Sequence, residues 1–229
     1  MLRHCRIIVT LLVIAAGASV AAAQSGAGRG PEGLTRGLNE FGAWGGVALF
    51  DSLNLIGSEE EKSARIGLAA LRYARVLAAG HGLAFKYTVD GVPLALLRYD
   101  RVRFVPTATP NVFRLAQERT TVYGAGLAPI GLQLNFRRRR RVQPFAGGSV
   151  GFLYFREPVP DERSIVEPNR RGAHFNYTAE FGGGVQLLTK ARRAYTFGYK
   201  YHHLSNWFHA PINPGFDSNL FYAGFSVFK

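Results

Sequence analysis

"FNYTAEFGGGVQLL", residues 175–188, decides the fold of this chain. Its odd positions hold Phe175, Tyr177, Ala179, Phe181, Gly183, Val185 and Leu187. Its even positions hold Asn176, Thr178, Glu180, Gly182, Gly184 and Gln186. Successive side chains of a strand point to opposite faces, so period-two alternation marks a strand with one apolar and one polar face. Strands of soluble domains usually run about five or six residues. A strand that crosses a bilayer needs about 9–11, apolar outside and polar or small inside. The stretch is long enough for the second case.

Working outward, other segments repeat the pattern. "VYGAGLAPIGLQLNF" sets Ile130, Leu132, Leu134 and Phe136 against Gly131, Gln133 and Asn135. "YTFGYKYHHLSN" sets Tyr195, Phe197, Tyr199 and Tyr201 against Thr196, Gly198, Lys200 and His202. "NLFYAGFSVF" sets Phe221, Ala223, Phe225 and Val227 against Tyr222, Gly224 and Ser226. Eight such segments are expected, at about 39–50, 65–78, 82–97, 120–136, 142–156, 174–189, 194–206 and 217–228. The second and third alternate poorly, and "VDGVPLALL" suggests a bulge. Glycines on the polar face suit a narrow interior where backbones approach closely. The expected fold is all-β: an eight-stranded antiparallel transmembrane β-barrel whose interior is filled by side chains.

The links agree with this count. "AAGHG", "RRRRR" and "KARRA" are short, whereas those around 51–64, 98–119, 157–173 and 207–216 are longer. Barrels of the outer membrane have short periplasmic turns and longer external loops. The run at 137–141 is a polybasic patch by composition. Its place between two strands reads instead as a solvated, strand-ending turn, with nothing to explain five arginines.

The first 23 residues read as a signal peptide. A basic start precedes the apolar run "IIVTLLVIAAGASVAAA", which ends in small residues before Gln24. Residues 24–38 are Gly-rich and read as a flexible lead-in, and 39–229 as the barrel. Removing the signal removes the single cysteine, Cys5. It also removes Arg3 and Arg6, so the formal charge falls by two from +13 to +11. So positive a chain suits an anionic partner such as anionic lipid or lipopolysaccharide. Export argues against nucleic acid. The expected location is the outer membrane, and no cofactor is called for.

The stretch "YHHLSNWFHAPINPGFDS", residues 201–218, carries the candidate chemistry. His203 and Ser205 share the face of Tyr199 and Tyr201, and Asp217 shares the outward parity of Phe221 and Phe225. The two strands form a hairpin, so the three groups can meet on the outer wall near the external rim. A polar trio there is costly unless its members bond to one another. The structural alternative is that the strand has already left the hydrocarbon by residue 203. As chemistry, a serine needs an adjacent base, and a carboxylate fixes the imidazole that serves as that base. His202 points inward by parity. A zinc site from His202, His203 and His209 lacks supporting cysteine or carboxylate spacing, so no metal is expected. No "GxSxG" elbow is present, which leaves a soluble α/β-hydrolase unsupported.

At these residues the chain resembles the lipid A 3-O-deacylases, often labelled acyloxyacyl hydrolases. "HLSN" is similar to the family's His-x-Ser-Asn, and "NPGFDS" to its Asn-Pro-Gly-x-acid segment. "VYGAGLAPIGLQLNF" and "VQPFAGGSVGFLYF" also look like family strands, so the likeness runs from about residue 120 to the end. The resemblance implies His203 as general base, Ser205 as nucleophile and Asp217 as orienting acid. Asp217 stands where the family often has Glu. The resemblance places Asn213, and with it Asn206, near the oxyanion. Trp207 and Phe208 replace the small residues that commonly follow the Ser-Asn pair. It further implies lipid A, or whole lipopolysaccharide, in the outer leaflet as substrate, with Tyr199, Tyr201 and Trp207 beside its acyl chains. An aromatic girdle explains the same three residues. Arg101, Arg103, Arg170 and Arg171 suit lipid A phosphates or plain solvent. A structural or adhesive barrel, and a phospholipase using the same trio, stay open as alternatives.

Overall fold

The computed structural model describes residues 33–50, 64–161, 171–213 and 215–229. The expected signal peptide lies outside the described residues. The described chain forms eight strands: β1 Asn39–Phe50, β2 Ala64–Gly80, β3 Leu83–Pro106, β4 Phe113–Asn135, β5 Val142–Val159, β6 Ala173–Leu188, β7 Arg193–Ser205 and β8 Phe216–Phe228. Each pairs antiparallel with the next, and β1 pairs with β8. The ring is closed, which removes every sheet edge within it.

Six strands begin and end within three residues of the sequence-based expectation, but β3 and β4 do not. Residues 98–119 were expected as an external loop. Most of them continue the two strands as a ribbon, with pairs out to Pro106 and Phe113. The ribbon is held by cross-strand partners that a single-strand reading does not see. Asp100 lies opposite Arg119 and bonds it at 2.7 Å, and Arg101 lies opposite Glu118 at 3.2 Å. Opposite charges at paired positions support a ladder as apolar pairs do. At 24 residues, β3 far exceeds the roughly 9–11 that cross a bilayer. The bulge expected in "VDGVPLALL" is present as register shifts after Thr88 and Val92.

Even-numbered residues of β6, β7 and β8 face inward, and there they build a charged interior. Glu40 accepts from Lys86 Nζ at 2.7 Å, from Gln186 Nε2 at 2.8 Å and from Ser226 Oγ at 2.7 Å. Arg72 grips Asp90 through two bonds of 2.7 and 2.6 Å. Lys200 bonds Glu180 at 2.7 Å and lies 4.0 Å from the centre of the Trp44 ring. Buried charges survive in such a place because each is paired and hydrogen-bonded. A void of about 30 Å³ beside Arg72, Glu180 and Lys200 has room for water-sized molecules and nothing larger. Close packing also fixes Gly198. A Cβ there would lie 2.6 Å from the Tyr222 ring.

Lys86→Met would leave the Glu40 carboxylate buried without its cation. The expected loss is about 3–5 kcal/mol of barrel stability. The urea midpoint of refolded protein in detergent measures it, with Arg75→Met, an exposed control, expected to change little.

The end that carries the short turns is closed by the last part of the lead-in. Leu34 is fully buried among Val76, Ala84, Leu188, Ala194 and Phe228. Its N–H donates to Arg138 O at 3.0 Å, and Arg138 Nη1 donates back to Leu34 O at 3.1 Å. Gln143 Nε2 donates to Arg138 O and Arg140 O, at 2.6 and 3.1 Å. Arg138 therefore ties residues 33–34 to the turn, while Arg137, Arg139, Arg140 and Arg141 are exposed.

Candidate active site

The site grows out of the β7–β8 hairpin. In this pairing His203 lies directly opposite Asp217. Both sit on the outward face, at alternate positions with Tyr201 and Asn219. His203 Nδ1 and Asp217 Oδ1 are 2.6 Å apart. The imidazole is about one-fifth exposed and the carboxylate 7%. A carboxylate on Nδ1 leaves Nε2 as the ring nitrogen free to face outward chemistry.

Ser205 ends β7, two residues beyond His203 and on the same face. Its Oγ donates to Asn213 Oδ1 at 3.1 Å and accepts from Trp207 N at 3.1 Å. In this structure the hydroxyl therefore bonds Asn213 and not His203. His203 and Asp217 are joined; His203 and Ser205 are adjacent on one face without a bond between them. A catalytic bond is often absent until substrate arrives.

The loop that follows is tightly built. Asn206 N and Ser205 Oγ share Asn213 Oδ1 as acceptor, the former at 2.9 Å. The buried Asn206 side chain donates from Nδ2 to Ile212 O at 2.7 Å, and His209 N donates to Asn206 O at 3.1 Å. Trp207 and Phe208 hold φ of 52° and 60°. Two bulky residues in the left-handed region are strained, and such strain gathers at functional sites. Both rings are exposed.

Asn213 and Asn206 both lie beside Ser205, but Asn213 turns its carbonyl oxygen toward the serine. Neither side-chain amide aims an N–H at it. Asn213→Ala would remove the acceptor shared by Ser205 Oγ and the Asn206 N–H. The expected result is a roughly 10- to 100-fold lower kcat from a barrel that still folds, because one or two bonds of about 1 kcal/mol each are lost from a loop. Hydrolysis rates beside a heat-modified mobility assay for folding check it.

The other expected residues divide. Tyr199 is half-buried and its hydroxyl donates to Asn219 Oδ1 at 2.6 Å. Trp207 is exposed, whereas Tyr201 is fully buried with its ring 4.9 Å from that of Phe181. Tyr201 thus lines the wall from beneath its neighbours. His202 is buried inside, 3.8 Å from Glu180, and His209 packs near Tyr177 at 6.0 Å. Arg101 pairs with Glu118 and, at 3.5 Å, with Asp161. Arg170 and the Arg103 side chain lie outside the described residues. Asn219 was not anticipated; its outward parity with Asp217 was the available signal.

Among solved structures, the chain is similar to the outer membrane enzyme PagL, with 12% identity over 81% of this chain and 97% of that one, at a TM-score of 0.48. The outer membrane protein OprG from Pseudomonas aeruginosa gives 11% over 86% and 98%, at 0.49. Neisserial surface protein A gives 13% over 83% and 96%, at 0.41. No curated protein matches the chain. The family model described as lipid A 3-O-deacylase (PagL) matches residues 97–226. The likeness thus begins earlier than the residue 120 expected from the strand patterns, taking in the end of β3 and the ribbon. Since that stretch is more than half of the 229 residues, the chain belongs to the lipid A 3-O-deacylase (PagL) family.

Proposed function

We propose that this barrel resides in the outer membrane and removes an ester-linked 3-hydroxyacyl chain from lipid A. Ser205 is the nucleophile, His203 the general base and Asp217 the residue that orients it. The observation that carries the reading is the 2.6 Å bond between His203 Nδ1 and Asp217 Oδ1 on the outward wall, with Ser205 next on the same face. A lipid held in the leaflet reaches such a wall by lateral diffusion, and needs no pore.

The reaction begins when Ser205 Oγ leaves Asn213 and donates to His203 Nε2. Oγ attacks the ester carbonyl carbon as Nε2 takes its proton. The Asp217 carboxylate stabilises the imidazolium that results. The tetrahedral intermediate collapses, the C–O bond to the sugar breaks, and His203 returns the proton to the departing sugar oxygen. Water, activated by the same base, then releases the fatty acid and restores Ser205. Losing one oxyanion donor would cost about 2.7–4 kcal/mol in such a reaction. The Trp207 N–H, already directed at Ser205 Oγ, is a backbone donor at the site.

A fluorophosphonate probe tests the nucleophile. The tryptic peptide containing Ser205 is expected to gain the probe's mass in wild type and not in His203→Ala. A folded wild-type barrel that stays unlabelled would contradict the assignment.

A further inference from the structure

Among the described residues, exposed aromatic rings toward the outer ends of the strands include Tyr123 on β4 and Phe104 and Phe113 on the ribbon. On β5, β6 and the β7–β8 loop such rings touch in series. Tyr154 stacks on His174 at 5.5 Å, and Phe152 on Phe175 at 5.2 Å. Phe175 meets Tyr177 edge-on at 5.1 Å, and Tyr177 meets Trp207 at 5.9 Å. Across the barrel, the outer ends of β1 and β2 present Val47, Arg65, Gly67 and Ala69 on the same outward face. A girdle that sets membrane depth does not require its rings to touch. These form one contacting series that ends beside Ser205.

Their level matters as much as their side. Tyr177 is the register partner of Ser205, and Phe152 is the partner of Tyr177. Tyr154 and Phe175 pair two residues further out. The ladder therefore starts beside Ser205 in register and runs toward the outer ends of the strands, while His203 and Asp217 lie one step toward the inner ends. An ester attacked at Ser205 has its acyl chain on the membrane side and its alcohol on the outer side. The alcohol of a glycolipid is a pyranose, whose apolar C–H face fits a flat aromatic surface. Arg156, two residues beyond Tyr154, is exposed and adds a cation at the top of the ladder. The surface is continuous with the candidate catalytic residues.

We propose that the ladder of Phe152, Phe175 and Tyr177, topped by Arg156, seats the glycosyl head group of an anionic glycolipid and so selects it over glycerophospholipid. The assignment rests on the deacylase reading for its direction. Its test uses binding as well as hydrolysis, so that the two ideas fail separately.

Binding is read in Ser205→Ala protein from the fluorescence of Trp207, the exposed one of two tryptophans. The probes are bisphosphorylated lipid A and phosphatidylglycerol. Lipid A is expected to bind at least about tenfold tighter. Adding Phe175→Leu, which keeps an apolar wall but removes the flat face, is expected to cut that ratio about tenfold. Arg156→Gln is expected to weaken bisphosphorylated lipid A more than its dephosphorylated form. Phe152→Leu serves in place of Phe175→Leu should the latter fail to fold. Equal weakening for both lipids, or none, would reduce the ladder to a girdle and overturn the proposal. Selective binding without hydrolysis by wild type would leave the ladder standing and sink the deacylase reading instead.

Discussion

Ser205→Ala is expected to lower kcat for lipid A deacylation by roughly 10⁴- to 10⁶-fold while leaving the barrel folded. Under the proposed mechanism no other group nearby can replace Ser205, since Asn213 offers only an amide oxygen and His203 serves as the base. The structural cost is small by comparison. Ser205 sits at the last position of β7 and gives up two hydrogen bonds, to Asn213 and from Trp207, each worth about 1 kcal/mol. Release of 3-hydroxy fatty acid, followed by gas chromatography, gives the rate. Heat-modified mobility shows the fold. A folded variant retaining more than about one part in a hundred of the rate, far above the expected 10⁴-fold loss, would remove Ser205 from the role of nucleophile.

The second large effect is expected at Asp217. Asp217→Asn keeps the shape and removes the charge, so the side chain no longer holds Nδ1–H or steadies an imidazolium. In serine hydrolases that change costs about 10⁴-fold in kcat, and a comparable loss is expected here. Asp217→Glu is expected to stay within about tenfold of wild type, because the carboxylate is retained and the pair is solvent-accessible at its edge. His203 and Asp217 are direct register partners, so an extra methylene is taken up by rotation at the wall and not by moving a strand. Full activity in Asp217→Ala combined with loss in Asp217→Glu would place Asp217 outside the reaction.

How legible was this in the sequence? The membrane-facing part was plain, since lipid on one side and a narrow interior on the other enforce alternation residue by residue. β1 spans the residues its pattern marks, and β5 to β8 differ by at most three at either end. The ribbon of β3 and β4 was hidden because it extends past the expected bilayer span. There both faces carry charges, and Asp100, Arg119, Arg101 and Glu118 read as loop until they are set opposite one another. The interior charges could be assigned inward by parity, as with Lys200 and His202. Their partners could not, since Glu40 meets Lys86 and Gln186 through the closure and stagger of the ring.

Within the candidate site, parity puts His203 and Asp217 on one face of neighbouring strands, and the structure makes them direct register partners across a ten-residue link. Side-chain orientation is a different matter. Tyr201 shares the outward face with His203 yet is fully buried, because ring packing on the wall covers it. The way Asn213 presents its oxygen to Ser205 depends on a loop with two left-handed residues, Trp207 and Phe208. Neither follows from alternation.

The most direct test of the central claim is mass spectrometry of lipid A incubated with refolded protein, wild type beside Ser205→Ala. The account predicts that wild type alone removes the mass of one 3-hydroxyacyl chain, with fragments that place the loss at an ester position of glucosamine. Lipid A left intact by a demonstrably folded wild-type barrel would contradict it.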